Sequence, residues 1–180
     1  MQRIVCVADE QALTHCPRMS RLESAIRRLQ AQKDCLNAVA DMIAPVEGTV
    51  FELGLGNGRT FDHLRTILPT RDIYVFERKV AAHPDCVPDD NHLFEGDFSI
   101  TLPRVEMQFQ QGVALIHADV GSGDVTASKQ LGAWLATVLP AFLVSGGILA
   151  CDQDLTGISC DRLGTPDGVP AGRYYLYRKP

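Results

Sequence analysis

Val50-Phe-Glu-Leu-Gly-Leu-Gly-Asn-Gly-Arg59 joins a short apolar run, an acid and three glycines on alternate positions. The apolar run reads as a buried strand, and glycines this dense behind it let the backbone turn sharply and approach a ligand closely. A helix that follows directs its free N–H groups at the same place. Two readings stand: a cradle for a nucleotide-like cofactor, or a strand-to-helix turn that binds nothing. Three glycines favour the cradle, because an ordinary turn needs one.

Outward from this stretch, apolar runs alternate with helical segments, the pattern of βαβ units on a parallel sheet. Strands are expected over Thr49–Leu53, Ile73–Phe76, His92–Glu95, Val113–His117 and Gly147–Cys151, and helices over Arg59–Leu68, Ser99–Gln110 and Thr126–Leu139. The strands are continuously apolar, as strands buried on both faces should be. Ahead of them, Ser20-Arg-Leu-Glu23 is a capping box, and Leu22, Ile26, Leu29, Leu36, Val39 and Ile43 recur at helical spacing up to Pro45. The second face of that helix fits either a dimer contact or a place over the sheet. Residues 1–19 are poorly patterned and are expected to form a loose arm, or an over-extended start, ahead of one domain over 20–180. Asp152 to Gly172 is rich in Gly, Pro and Asp, and a last strand at Arg173–Arg178 follows with no crossover helix. That strand should run antiparallel, paired with a short strand near Cys160–Leu163. The expected fold is an α/β, Rossmann-like three-layer sandwich, a mostly parallel sheet of about seven strands with helices on both faces.

The 180 residues are 46% hydrophobic, enough for a full core. A net charge of -5 argues against a surface built to hold nucleic acid and favours a small molecule as partner. No apolar run reaches the ~18 residues that span a bilayer, and the first residues lack the pattern of a signal peptide, so a cytoplasmic protein is expected. Six cysteines without a C-x-x-C pair or regular spacing give no zinc pattern and read as reduced thiols.

In Glu52-x-Gly54-x-Gly56-x-Gly58 the third glycine of the dinucleotide fingerprint G-x-G-x-x-G would fall on Arg59. The pattern instead resembles motif I of the class I S-adenosylmethionine-dependent methyltransferases. The resemblance continues in Glu77 at the end of Ile73-Tyr-Val-Phe-Glu77, in Phe94-Glu-Gly-Asp97-Phe98, in Leu115-Ile-His117-Ala-Asp119-Val-Gly121, and in Ser145-Gly-Gly147 before Cys151-Asp152-Gln153-Asp154. It covers about Glu47 to Asp154 in the family's order, and the chain looks closest to small bacterial members of undefined substrate. It implies S-adenosyl-L-methionine as cofactor. Glu52, Leu53, Gly54, Gly56, Asn57 and Gly58 would form the loop under the methionine part. Glu77, with Arg78 beside it, would accept from the ribose hydroxyls, Asp97 and Phe98 would hold adenine, and His117 would border the transferring methyl. Asp97 also reads as the N-cap of the helix that follows, and both roles can coexist.

If the acceptor must lose a proton, His117 is the best-placed base and Asp119 the next. For His117, a histidine packed in the core is the competing reading. The ends of strands four and five are also similar to the metal-dependent catechol-type O-methyltransferases. Here His117 occupies the first ligand position, Gln153 replaces an Asn, and Val120 stands where that family has a lysine. Magnesium prefers oxygen ligands, so no metal is expected. The recognition elements before strand one and after strand five are short, which points to a small-molecule acceptor, or to a homo-oligomer in which a neighbouring chain closes the pocket. A nicotinamide-dependent oxidoreductase is disfavoured by Arg59 and by the lack of a Tyr-x-x-x-Lys. A cofactor-binding protein without turnover is the other alternative.

Overall fold

The computed structural model describes residues 19–121 and 123–180. The arm expected before Met19, with Cys6 and Cys16, lies outside them. Helix α1 (Arg21–Met42) starts at Ser20, whose hydroxyl accepts from the Glu23 N–H at 3.0 Å, while the Glu23 carboxylate turns forward to Arg27 at 2.6 Å. The order is then β1 (Thr49–Leu53), α2 (Arg59–Ile67), β2 (Ile73–Glu77), β3 (Leu93–Glu95), α3 (Phe98–Phe109), β4 (Val113–Ala118), α4 (Val125–Val138), β5 (Leu143–Cys151), β6 (Asp161–Leu163) and β7 (Tyr175–Arg178).

The seven strands form one sheet in the order β3-β2-β1-β4-β5-β7-β6. Strands β1 to β5 are mutually parallel, and β7 runs antiparallel to both β5 and β6. The strand order reverses between β1 and β4, so the crevice at their carboxyl ends is where such a sheet receives a ligand.

Alternation along each strand divides the core into two layers. Val50, Val75, Leu115 and Ile148 pack with Cys35, Leu36 and Val39 of α1 and Leu64 of α2 on one face. Phe51, Phe76, Ile116 and Leu149 pack with Leu102 and Val105 of α3 and Leu135 of α4 on the other. Phe51 is fully buried there, its ring centroid 4.8, 5.2 and 5.4 Å from those of Phe76, Phe109 and Phe142. Each such pair contributes about 0.5–1.5 kcal/mol beyond the buried area. Helix α1 therefore lies over the sheet. Its first apolar positions, Leu22 and Ile26, nevertheless stay exposed.

Strand β5 begins four residues before the expected Gly147. The Gly146-Gly147 pair is a bulge inside the strand, because Val113 pairs with Leu143 while Leu115 pairs with Ile148. A Cβ on Gly147 would sit 2.9 Å from the Val144 carbonyl oxygen and 3.0 Å from that of Val113.

Candidate active site

The glycine loop leaves β1 at the crevice. Gly54 N–H donates to the Phe76 carbonyl at 2.9 Å and Gly58 N–H to the Leu55 carbonyl at 2.7 Å, which folds the loop back before α2. Gly58 caps α2 at φ +80° with no side-chain bond to the first helical N–H groups. Gly56 N–H donates to Glu77 Oε2 at 3.1 Å, and Lys79 N–H to Glu77 Oε1 at 3.0 Å, so the acid ending β2 is fixed against the loop.

A cavity of about 290 Å³ opens here, walled by seven of the expected residues: Gly54, Gly56, Glu77, Arg78, Asp97, Phe98 and Asp119. Val120, Gly121 and Leu131 complete it. A Cβ on Gly56 would meet nothing within 4 Å, so that side of the loop is open space. Asp97 caps α3, accepting from the Ser99 N–H at 2.9 Å and its hydroxyl at 2.6 Å, both on Oδ1. These bonds hold its carboxyl below the usual carboxylate range.

The structure corrects several expectations. His117 is fully buried and does not wall the cavity. It stands opposite Glu52 in the β1–β4 register, on the face that Val50 and Leu115 share, so strand alternation turns both side chains under the sheet edge. Its Nδ1 lies 2.5 Å from Glu52 Oε2, its Nε2 meets the buried Tyr174 hydroxyl, and the Thr60 hydroxyl donates to Glu52 Oε1. Burial opposes protonation of His117, but the Glu52 carboxylate, with Asp119 and Asp152 beyond it, outweighs that and raises its pKa. With both nitrogens engaged and no solvent contact, His117 reaches no substrate proton.

Glu52 is likewise fully buried, and its Oε1 accepts from Thr60 in the first turn of α2. Leu53 packs into the core beside Phe51. Gly58 is closed off, since a Cβ there would overlap Cys86 Cβ and lie 2.8 Å from the Cys86 carbonyl oxygen. Asn57 lines a separate recess of about 70 Å³ with Arg28, Gln32 and Asp119.

Two residues of α1 belong to the site without having been expected there. Arg28 Nη1 donates to Asp119 Oδ2 at 3.1 Å, and the buried Gln32 amide donates to the same oxygen at 2.5 Å. They tie the helix to the segment that follows β4, and the Arg28 guanidinium supplies the charge that pairs with Asp119. Asp152, at the end of β5, accepts from the Val120 and Gly121 N–H groups at 3.3 and 3.0 Å. Burial, reinforced by Asp119, pushes its carboxyl up to about 6.

That shift has a measurable sign. A carboxylate with a folded pKa near 6 and an unfolded one near 3.8 opposes folding where it is ionised, so its favourable contribution is full below about 4 and gone above about 6. Urea unfolding of Asp152→Asn should lack this decline between pH 4 and 7, worth at most about 3 kcal/mol.

Comparison with known proteins decides the assignment. The S-adenosyl-L-methionine methyltransferase family matches residues 19–179. The chain belongs to that family. This methyltransferase is 36% identical to the S-adenosyl-L-methionine methyl transferase of Silicibacter pomeroyi DSS-3, covering 90% of this chain and 99% of that one with a TM-score of 0.86. Its fold is shared by the MycE methyltransferase of the mycinamycin biosynthetic pathway, crystallised with Mg, SAH and mycinamycin VI (12% identity, 90% of this chain and 49% of that one, TM-score 0.53). TrmN from Thermus thermophilus shares it as well (14% identity, 81% and 48% covered, TM-score 0.50). No curated protein matches the chain.

The methyltransferase uses S-adenosyl-L-methionine, and the oxidoreductase alternative falls with the family assignment. The residues present fit that cofactor, with an open cradle over Gly56 and carboxylates at the ends of β2 and β3. Among the described residues, no group of three or more His, Cys, Asp or Glu side chains is arranged to hold a metal, and no helix is long and apolar enough to cross a membrane.

Proposed function

We propose that the methyltransferase holds its cofactor in the cavity above the glycine loop and methylates a small-molecule acceptor seated in the cavity next to it. The observation that carries this is the shared wall at Gly121. On its far side lies a cavity of about 670 Å³ bordered by Lys129, Asp152, Gln153 and Tyr175. An acceptor there is adjacent to the cofactor, and the space suits a molecule of metabolite size better than a polymer. The free thiols of Cys35, Cys86, Cys151 and Cys160 support a reducing, cytoplasmic setting.

When bound, the cofactor supplies a sulfonium methyl with a neutral thioether as leaving group. The protein's share is to orient both partners and exclude water. Glu77 would accept from the ribose hydroxyls, Asp97 would accept from the adenine amine through the oxygen its cap leaves over, and Phe98 would lie against the base. Gly54 and Gly56 would bring the backbone under the methionine part. Asp119, held by Arg28 and Gln32, sets the edge facing the acceptor.

Transfer of tritium from methyl-labelled cofactor into a deproteinised metabolite extract tests the acceptor. One labelled low-mass product is expected, whereas label confined to nucleic acid or protein would contradict a small-molecule acceptor. Glu77→Ala should weaken S-adenosylhomocysteine binding by the loss of charge-assisted hydrogen bonds of about 1.5–3 kcal/mol each, or at least tenfold. Calorimetric titration measures it, and unchanged affinity would remove the ribose role.

A further inference from the structure

The position that breaks the dinucleotide fingerprint holds Arg59, the first residue of α2. Its guanidinium makes no hydrogen bond, ion pair or ring contact among the described residues. Arg59 borders the recess of about 70 Å³ beside α1. That recess adjoins the larger cavity above the glycine loop, because Gly54, Gly56 and Asp119 wall both. A Cβ on Gly54 would lie 2.8 Å from the Asp119 carbonyl oxygen, so the loop and the segment after β4 are packed directly against each other there. A molecule lying over Gly54 and Gly56 can therefore extend past Asp119 into the recess.

The recess offers uncommitted groups of both signs. Asp119 takes Arg28 Nη1 at 3.1 Å and the Gln32 amide at 2.5 Å on one oxygen, Oδ2, while Oδ1 takes no hydrogen bond from a described residue. The Asp119 side chain remains 24% exposed, so its carboxylate is open to a ligand. The other cation of the recess, Arg28, is engaged by Asp119, which leaves Arg59 as its free positive charge. Beyond Arg59 a further recess of about 240 Å³ is bordered by Lys33 and His63 and by no carboxylate, so no acid on that wall competes for the guanidinium.

We propose that this recess receives the α-amino-acid head of the cofactor, its carboxylate paired with Arg59 and its ammonium with Asp119 Oδ1. The proposal rests on the placement of the cofactor over the glycine loop. The head is a zwitterion at neutral pH, and a free guanidinium beside a free carboxylate oxygen is its complement. The volumes divide in the same way, since about 290 Å³ above the loop suits the nucleoside and about 70 Å³ suits only a group of a few atoms. Arg28 and Gln32 act as positioning residues, fixing Asp119 through its other oxygen. Arg59 thereby selects for a nucleoside that carries an amino-acid tail.

The test is calorimetric titration with S-adenosylhomocysteine, with its decarboxylated analogue (an aminopropyl thioether of the same nucleoside) and with methylthioadenosine, which lacks both charges. The wild type should bind S-adenosylhomocysteine at least tenfold more tightly than the decarboxylated analogue, and methylthioadenosine most weakly. Arg59→Gln should weaken S-adenosylhomocysteine at least tenfold without weakening the decarboxylated analogue, a difference that a merely structural role would not produce. Equal wild-type affinity for S-adenosylhomocysteine and the decarboxylated analogue, or an equal loss of both in Arg59→Gln, would overturn the proposal and leave the cofactor over the loop. The wild-type comparison needs no variant, so it stands even if Arg59→Gln does not fold. Unchanged affinity for all three ligands in Gly56→Val would instead remove the cofactor from the loop, and the proposal with it.

Discussion

Gly56→Val should abolish S-adenosylhomocysteine binding while leaving a folded protein, and Gly58→Val should fail to fold. The two positions are two residues apart and carry the same residue type, yet they face opposite surroundings. At Gly56 a side chain enters open space above the loop, so the structural cost is the left-handed backbone at φ +51°, about 1–2 kcal/mol. The new isopropyl group then occupies the cradle. At Gly58 the backbone strain at φ +80° is joined by overlap with Cys86, whose carbonyl oxygen would lie 2.8 Å from the new Cβ. Overpacking adds about 1–3 kcal/mol more. Thermal unfolding and calorimetric titration of both variants separate the roles. A Gly56→Val protein that binds normally would move the cofactor away from the loop, and a stable Gly58→Val protein would remove the packing role of Cys86.

His117→Leu should cost about 3–5 kcal/mol, because it leaves the Glu52 carboxylate fully buried without its partner. The pair also has a pH signature. The folded pKa of His117 is raised above its ordinary value of 6.5, so its contribution is full below about 6.5 and is lost as the pH rises through the raised folded value. Asp152 acts in a lower window, between about 4 and 6. Denaturant unfolding from pH 6 to 9 should therefore show a decline in the wild type that His117→Leu lacks. Equal stability of variant and wild type would mean that the buried pair contributes nothing. Loss of the methyltransferase reaction in a variant with unchanged stability and cofactor affinity would restore His117 to catalysis.

Most of the sheet was legible because buried parallel strands are uninterrupted apolar runs and because Gly, Pro and Asp mark the turns between them. β1 falls on its expected residues, and β2, β3 and β4 differ by one at an end. The start of β5 was hidden because Gly146-Gly147 looks like a break in sequence but serves as a bulge. That Glu77, Asp97, Gly54 and Gly56 would share one cavity was readable because strand ends meet at one edge of a parallel sheet. His117 was misplaced for lack of the register: only the pairing of Glu52 with His117 shows that both turn beneath that edge. Arg28 and Gln32 lie 91 and 87 residues from Asp119, and no local pattern announces such a contact. The block at Gly58 similarly comes from Cys86, in a separate connection.

The central claim is that the glycine loop and Glu77 hold the methyl donor. Calorimetric titration of the wild type and of Gly56→Val with S-adenosylhomocysteine, and of the wild type with NAD, tests it most directly. The expected result is one S-adenosylhomocysteine site per chain in the wild type, none in Gly56→Val, and no heat with NAD. Equal S-adenosylhomocysteine affinity in both proteins, or tight binding of NAD alone, would contradict it.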